Sequence, residues 1–224
     1  MEKLPFLPLG VQYFAAIRKD NAVYVDKTEY IYKLCLPSNR AYFLSRPRRF
    51  GKSLTLDTIN ELFVGNRSLF KDTWIEDKWD WSQTYPVIRL SLDAISHEGS
   101  LNSALKDAIH DIAKKFNIEL SKRFAGTLFK ELIEKVAEKT EKQVVILIDE
   151  YDRPISKYLE PYNHVKIEAP RNTLNRFCSI LKSSSNHIRF LLITGVSDFS
   201  EIVSPNLNHL TNLSLRSDFA VLCD

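Results

Sequence analysis

Short runs of apolar residues recur along the chain, and longer stretches with helical spacing separate them. Four of these runs are mostly apolar, as is typical of central strands that are covered on both faces. They span Ala41–Leu44, Val87–Leu92, Val144–Ile148 and Arg189–Thr194. Each run is therefore predicted to be a buried β-strand.

Apolar positions at steps of three and four residues predict helices with one buried stripe. This spacing occurs in 52–64, 101–116, 128–136 and 174–181. Gly65 follows the first stretch as a natural C-cap, and Pro170 stands where the first turn of the last helix accepts proline. Because parallel strands need crossover connections, the alternation of strands and helices predicts an α/β fold with a mostly parallel sheet.

Composition narrows the class of protein. The chain has 224 residues, of which 44% are hydrophobic and 26% charged, and its net charge is 31 − 28 = +3. These values describe a globular domain and exclude disorder, collagen and a coiled coil. The charge is too small to indicate nucleic-acid binding by itself. The three cysteines lack metal-ligand spacing and no run of 18 apolar residues occurs, so we predict a cytoplasmic protein that does not enter a membrane.

A strand, a tight basic loop and a helix are predicted to follow one another in residues 41–64. Gly51, Lys52 and Ser53 occupy the last three fixed positions of the phosphate-binding motif G-x-x-x-x-G-K-[ST], whose first glycine is replaced by Arg46. In that motif backbone N–H groups and the lysine hold phosphate oxygens, and the hydroxyl ligates Mg²⁺. The alternative is a solvated basic turn.

Three arginines surround a proline in this loop, and guanidinium groups suit bidentate hydrogen bonds to phosphate. We therefore expect side-chain charge to replace part of the backbone hydrogen bonding to phosphate that a glycine at position 46 would allow. The predicted nucleotide-binding residues are Arg46, Arg48, Arg49, Phe50, Gly51, Lys52, Ser53 and Leu54.

The predicted strand at 144–148 is followed by two acids, Asp149 and Glu150. Open α/β sheets bind ligands at the carboxyl ends of their strands. Asp149 is therefore predicted to hold Mg²⁺ together with Ser53, and Glu150 to polarise an attacking water. Lys52 and Thr194 complete the predicted catalytic set; Thr194 ends the strand expected beside the acidic one and is predicted to sense the terminal phosphate. The alternatives are a strand that exits into a polar turn and a threonine favoured by its shape.

Asp152 and Arg153 follow the acidic pair closely. One interpretation is a turn closed by an ion pair. The other is that Arg153 responds to the state of a bound nucleotide.

Three blocks of the sequence resemble the bacterial AAA-ATPase-like family. They are R-P-R-R-F-G-K-S at 46–53, I-D-E-Y-D followed by R-P at 148–154, and T-G-V-S at 194–197. Segments 7–10, 24–28 and 208–215 are also similar, so the resemblance covers almost the whole chain. It implies a P-loop three-layer sandwich with ATP as the nucleotide and Mg²⁺ as the cofactor. The family loop also lacks the first glycine.

The resemblance also suggests a domain organisation. We predict an amino-terminal extension, 1–38, that packs on a P-loop core, 39–224. Many members of the family continue into a PD-(D/E)XK nuclease-like domain, but no paired Asp…Glu-x-Lys strand motif follows in this sequence, so we assign it no nuclease activity. Whether the chain is a piece of a longer protein or a stand-alone module stays open.

Two functions of different classes remain open. The first is an Mg²⁺-dependent ATP-binding domain that hydrolyses ATP slowly or conditionally. The second is a regulatory module, nucleotide-dependent or nucleotide-free, that acts on a nuclease-like or defence partner without productive hydrolysis. Direct nucleic-acid binding by the basic loop is a weaker alternative and would show a steep dependence of affinity on salt.

Overall fold

The computed structural model describes residues 6–36, 41–93, 100–156, 168–197 and 210–222. Within these residues five strands form an all-parallel sheet. They are β1 (Ala41–Ser45), β2 (Val87–Ser91), β3 (Val144–Asp149), β4 (Ile188–Gly195) and β5 (Thr211–Asn212). Their order across the sheet is β2-β3-β4-β1-β5, and each pair of neighbours is parallel. The predicted α/β fold is confirmed.

The first four strands coincide with the predicted apolar runs, and their ends differ from the prediction by a single residue. The fifth strand, β5, was not predicted. It has two residues, both partly exposed, and pairs with β1 at the edge of the sheet. A strand this short carries no apolar run that a sequence pattern detects.

The described helices are α1 (Phe14–Lys19), α2 (Thr28–Cys35), α3 (Lys52–Val64), α4 (Leu101–Lys115), α5 (Ala125–Thr140), α6 (Arg153–Ser156) and α7 (Glu168–Ser183). Helix α3 has the predicted bounds, and Gly65 ends it in the left-handed region at φ 85°. Helices α5 and α7 extend beyond the predicted stretches at both ends. Helices α1, α2 and α6 have only four to eight residues, which is too short for a clear helical repeat.

Helices cover both faces of the sheet and give three layers. Alternate residues of β3 point to opposite sides, so Ile146 and Ile148 join the core beneath α4, α5 and α7. Val145 and Leu147 join the other core, beneath α1, α2 and α3. Burial on both faces explains why the central strands are continuous apolar runs. The arrangement is that of a P-loop NTPase-like sandwich.

A buried acid joins the amino-terminal residues to this sandwich. Asp57 on α3 is 3% exposed, accepts a hydrogen bond from Phe14 N at 2.7 Å and forms an ion pair with Arg89 of β2. Helix α1 is thereby tied to α3 and to the sheet. The predicted boundary between residues 38 and 39 lies outside the described residues, and the division into two parts stays a prediction.

Among the described helices, none combines the length and apolar character that a membrane span requires. Cys35 and Cys178 are buried free thiols. The third cysteine, Cys223, lies outside the described residues.

Candidate functional site

The parallel strands bring the predicted site residues to one edge of the sheet. Strand β1 leads into the loop 46–51, β3 ends at Asp149, and β4, which lies between them, ends with Thr194 and Gly195. Neighbouring strands are about 4.8 Å apart, so the ends of β1 and β3 are roughly 10 Å apart. The basic loop and the acid therefore lie on either side of a single strand.

The loop turns into α3 through left-handed backbone at Arg49 and Gly51, with φ of 69° and 72°. The N-cap of α3 is Gly51, which has no side chain that could cap the helix. Apart from its chain neighbours, no heavy atom of the described residues would lie within 4 Å of a Cβ at Gly51, so it is the left-handed backbone conformation that favours glycine here. The first amides of a helix lack intrahelical acceptors, and the helix dipole adds positive potential there. This start of α3 is therefore suited to an anion such as phosphate.

Lys52 is the first residue of α3, and its side chain folds over the loop. The ammonium Nζ donates to the carbonyl oxygens of Arg46 at 2.8 Å and Pro47 at 2.9 Å, and the residue is only 6% exposed. A buried ammonium needs such partners, because burying a charge without them is costly. A phosphate oxygen is a stronger, charged acceptor and would compete with these carbonyls for the same ammonium.

The carboxylate of Asp149 lies at the end of β3 and is 5% exposed. Its Oδ1 accepts hydrogen bonds from Thr194 Oγ1 and from Glu150 N. Both of these hydrogen bonds, which come from described residues, go to Oδ1 and hold the carboxylate by that oxygen. Mg²⁺ prefers carboxylate, hydroxyl and phosphate oxygens, and Asp149 with the hydroxyl of Ser53 fits that preference.

Thr194 was predicted to sense the terminal phosphate. It is fully buried, and its hydroxyl donates to Asp149. In this arrangement the threonine orients the carboxylate, because a donor on one oxygen restricts rotation of the whole group. A contact between Thr194 and phosphate stays a prediction.

Glu150 follows β3 in left-handed backbone, with φ of 52°. Burial and the negative charge of Asp93 raise the pKa of the Glu150 carboxyl above its usual value, Asp149 adds to the effect and Arg153 opposes it. Arg153 Nε donates to Asp93 Oδ1 at 2.7 Å and lies 3.9 Å from Glu150 Oε2. The ion pair that the sequence suggested for Arg153 therefore includes Asp93. Sequence reasoning missed Asp93, although an acid two residues beyond β2 was a usable signal.

Tyr151 and Asp152 join the end of β3 to the end of β4. Asp152 Oδ2 accepts from the backbone N–H groups of Val196 at 3.0 Å and Ser197 at 2.7 Å. Tyr151 packs so closely on Gly195 that a Cβ there would lie 2.3 Å from its ring. These contacts make the residues after Glu150 a turn that is fixed to β4, as the simpler interpretation of Asp152 expected.

The arginines of the loop differ in their surroundings. Arg46 Nη1 donates to the carbonyl oxygens of Ser45 at 3.1 Å and Ser214 at 3.2 Å. Arg48 and Arg49 are exposed, and Phe50 is 41% exposed beside them. Contacts from these residues to a nucleotide stay predictions.

A cavity of about 220 Å³ lies beside the loop. The amino-terminal residues form one wall, and the start of α3 with Leu222 forms the other. Its lining includes Val23, Tyr24, Val25, Gly51, Leu54 and Leu222. Burial, with a smaller effect of the charge of Asp26, raises the pKa of Tyr24 to about 12, so this phenol stays neutral at neutral pH, and the basic side chain of Lys27 lies on the same wall. Leu54 is one of the nucleotide-binding residues predicted from the sequence, whereas no residue of the amino-terminal wall was predicted to contact a nucleotide.

Within the described residues, no group of three or more His, Cys, Asp or Glu side chains is arranged to hold a metal. The predicted Mg²⁺ site needs no such group, because it combines one carboxylate and one hydroxyl with phosphate oxygens.

Comparison with known proteins finds a family model and a relative that resemble this chain. A family model described as Predicted AAA-ATPase matches residues 8–202. A protein of Azotobacter chroococcum mcd 1, described as an uncharacterized protein in the vnfD 5' region, is 40% identical over 226 residues. The match covers 97% of this chain and 42% of that protein, so the chain spans less than half the length of this relative.

Proposed function

This chain belongs to the predicted AAA-ATPase family, as its motifs suggested, and from that premise we propose that it binds ATP with Mg²⁺ and hydrolyses it slowly or conditionally. The observation that carries the proposal is the start of α3, where open backbone at Gly51 and the ammonium of Lys52 lie across one strand from a buried acid. For any longer protein that contains this chain, ATP binding and hydrolysis are likewise proposed.

We propose that the β and γ phosphates of ATP bind at the loop. The amides at the start of α3 donate to phosphate oxygens, and Lys52 leaves the carbonyl oxygens of Arg46 and Pro47 to neutralise the terminal phosphates. This exchange replaces two neutral acceptors with charged ones, which favours the bound state because charge-assisted hydrogen bonds are the stronger kind.

Ser53 and Asp149 are the residues that would hold Mg²⁺, which when bound supplies positive charge to the phosphate oxygens. Thr194 holds the Asp149 carboxylate in place through Oδ1. Glu150 accepts a proton from the attacking water, and its exposure at the edge of the sheet gives water a route to it. Arg153 and Asp93 surround the same carboxylate.

We propose that the base of the nucleotide binds in the cavity beside Leu54. Its walls combine aliphatic side chains and the ring of Tyr24 with the polar side chains of Lys27, Thr55 and Thr58, which suits a flat heterocycle that carries hydrogen-bonding groups. The cavity adjoins Gly51, so a ligand can occupy it and the phosphate loop at the same time.

The experiment is isothermal titration with Mg²⁺ and ATP, followed by a phosphate-release assay. Lys52→Ala should weaken binding at least tenfold, while the exposed-lysine control Lys115→Ala should not. Glu150→Gln should keep the affinity within about threefold and lose turnover, with Glu138→Gln as its control. Equal rates of phosphate release by Glu150→Gln and the parent would reject the assignment of Glu150.

A second candidate function is a nucleotide-binding regulatory module without productive hydrolysis. The observation that favours it is the position of Arg153, which lies 3.9 Å from Glu150 Oε2 and opposes the rise in the pKa of the proposed base. The same two assays separate the candidates, because this one predicts tight binding of ATP with no phosphate release above background.

A further inference from the structure

Strand β5 ends early beside β1, and a side chain continues its hydrogen bonding. The two residues of β5 pair with Tyr42 and Phe43. Two residues further along each chain, Ser45 N donates to Ser214 Oγ at 2.8 Å. Asn212 Oδ1 accepts from Ser214 N at 2.9 Å and turns the chain into a short 3₁₀-helix, Leu213–Leu215. The backbone leaves the sheet here, and the Ser214 hydroxyl occupies the place of the next backbone acceptor.

Two more contacts join Ser214 to the end of β1 and to the first residue of the phosphate loop. The hydroxyls of Ser45 and Ser214 are 3.0 Å apart, and Arg46 Nη1 donates to Ser214 O at 3.2 Å. We call Ser45, Arg46 and Ser214 the clasp. It connects the last residue of β1 and the first residue of the phosphate loop to the segment 210–222.

Ser214 and the ammonium of Lys52 both bind Arg46, the first residue of the loop. Arg46 O accepts from Lys52 Nζ at 2.8 Å, and Arg46 N donates to Gly195 O at 3.2 Å. If Lys52 turns to a phosphate, the carbonyl oxygen of Arg46 no longer accepts from this ammonium. The hydrogen bonds to Ser214 and to β4 then hold the first residue of the loop in position.

The segment 210–222 also reaches the other end of the candidate nucleotide site. Thr55 Oγ1 on α3 donates to Leu222 O at 3.5 Å, and Leu222 lines the cavity beside Leu54. The segment therefore contacts the loop through Ser214 and borders the cavity through Leu222.

We propose that Ser214 is a positioning residue for the phosphate loop and that the clasp couples nucleotide affinity to the position of segment 210–222. The inference rests on the proposed nucleotide site and adds its regulation. Ser214 acts through Ser45 and Arg46. Because coupling between two sites is reciprocal, a nucleotide that fixes the loop must also stabilise the contacts of Ser214.

The test compares three variants of the chain by titration with Mg²⁺ and ATP. Ser214→Ala removes the hydroxyl from the clasp and should raise the Kd by about five- to tenfold, the range that follows from removing hydrogen bonds of ordinary strength. Ser214→Thr keeps the hydroxyl and should restore the Kd to within about twofold of the parent. Ser217→Ala, an exposed serine of the same segment, is the matched control.

A second measurement uses the unaltered chain. Hydrogen exchange of peptides covering Ser45 and residues 210–222 should slow by at least threefold when Mg²⁺ and ATP are added, because opening the clasp then requires loosening a ligand-bound loop. Urea unfolding of each variant without nucleotide measures how far the substitution alone changes the free energy of unfolding. A positioning role for Ser214 does not require such a change.

The outcomes are distinguishable. If the parent does not bind ATP, the proposed function fails and the inference fails with it. If the parent binds ATP but the Kd of Ser214→Ala is unchanged, the inference alone is overturned, even where the urea midpoint falls. Unchanged hydrogen exchange on binding of ATP by the parent overturns it as well.

Discussion

Replacement of Glu131 by glutamine should destabilise the protein in a way that depends on pH. Glu131 on α5 is 8% exposed, and its carboxylate accepts from the backbone N–H groups of Ser121 and Lys122 and from the Ser121 hydroxyl, all at 2.9–3.0 Å. Lys135 Nζ lies 2.9 Å from Oε1. One carboxylate thus fixes the loop between α4 and α5.

The magnitude follows from the pKa of the Glu131 carboxyl. Burial raises this pKa, but the ion pair with Lys135 and the hydrogen bonds from Ser121 and Lys122 outweigh burial and lower it from 4.5 to about 2. A shift of one unit corresponds to about 1.4 kcal/mol, so the ionised group contributes about 3 kcal/mol to the free energy of unfolding. Because the folded pKa is the lower one, this contribution is present above pH 4.5 and is lost as the pH falls towards 2.

The assay is urea unfolding of the parent and Glu131→Gln at pH 7 and at several values down to pH 3. We expect the variant to be less stable by about 2–3 kcal/mol at pH 7, since the amide keeps part of the hydrogen bonding. The difference between parent and variant should shrink as the pH falls. Glu138→Gln, an exposed change on the same helix, is the control. A difference that stays constant from pH 7 to pH 3 would refute the reasoning.

Two further substitutions test contacts that support the site. Gly195→Ala places a Cβ 2.3 Å from the Tyr151 ring, so the turn after β3 must move, and the free energy of unfolding measured in urea should fall by about 1–3 kcal/mol. The control is Gly126→Ala, whose Cβ lies 3.4 Å from its nearest atom and which should be neutral or stabilising. Similar destabilisation at both glycines would contradict this prediction. Asp57→Asn removes the charge that pairs with Arg89 and should lower the free energy of unfolding by about 2 kcal/mol or more. The exposed change Asp107→Asn is its control. A decrease below about 0.5 kcal/mol for Asp57→Asn would mean that this ion pair is dispensable.

The chemistry of the candidate site was largely visible in local patterns. The loop ending in Gly51, Lys52 and Ser53 and the acids after β3 were identified because each motif lies within a few residues of one strand. The sheet then brings them to one edge without further information, since the carboxyl ends of parallel strands always share an edge.

Other parts of the site depend on which strands are neighbours. Asp93 lies beside Glu150 because β2 pairs with β3 in a register that aligns Ser91 with Asp149. Arg46 contacts Ser214 because β5 pairs with β1, although the two residues are 168 positions apart. Neither pairing leaves a periodic signal, because hydrophobic patterns report burial and not the identity of the neighbour.

The sequence by itself determined the four longer strands, the main helices and the two motifs at the strand ends, because apolar runs and the start of a helix are encoded by residues close together in the chain. The tertiary structure decided the partners of those motifs: Asp93 beside Glu150, Thr194 on Asp149, Ser214 on the loop, and the amino-terminal wall of the cavity. These partners come from distant segments, and only the order of the strands and the packing of residues 6–36 on α3 bring them together.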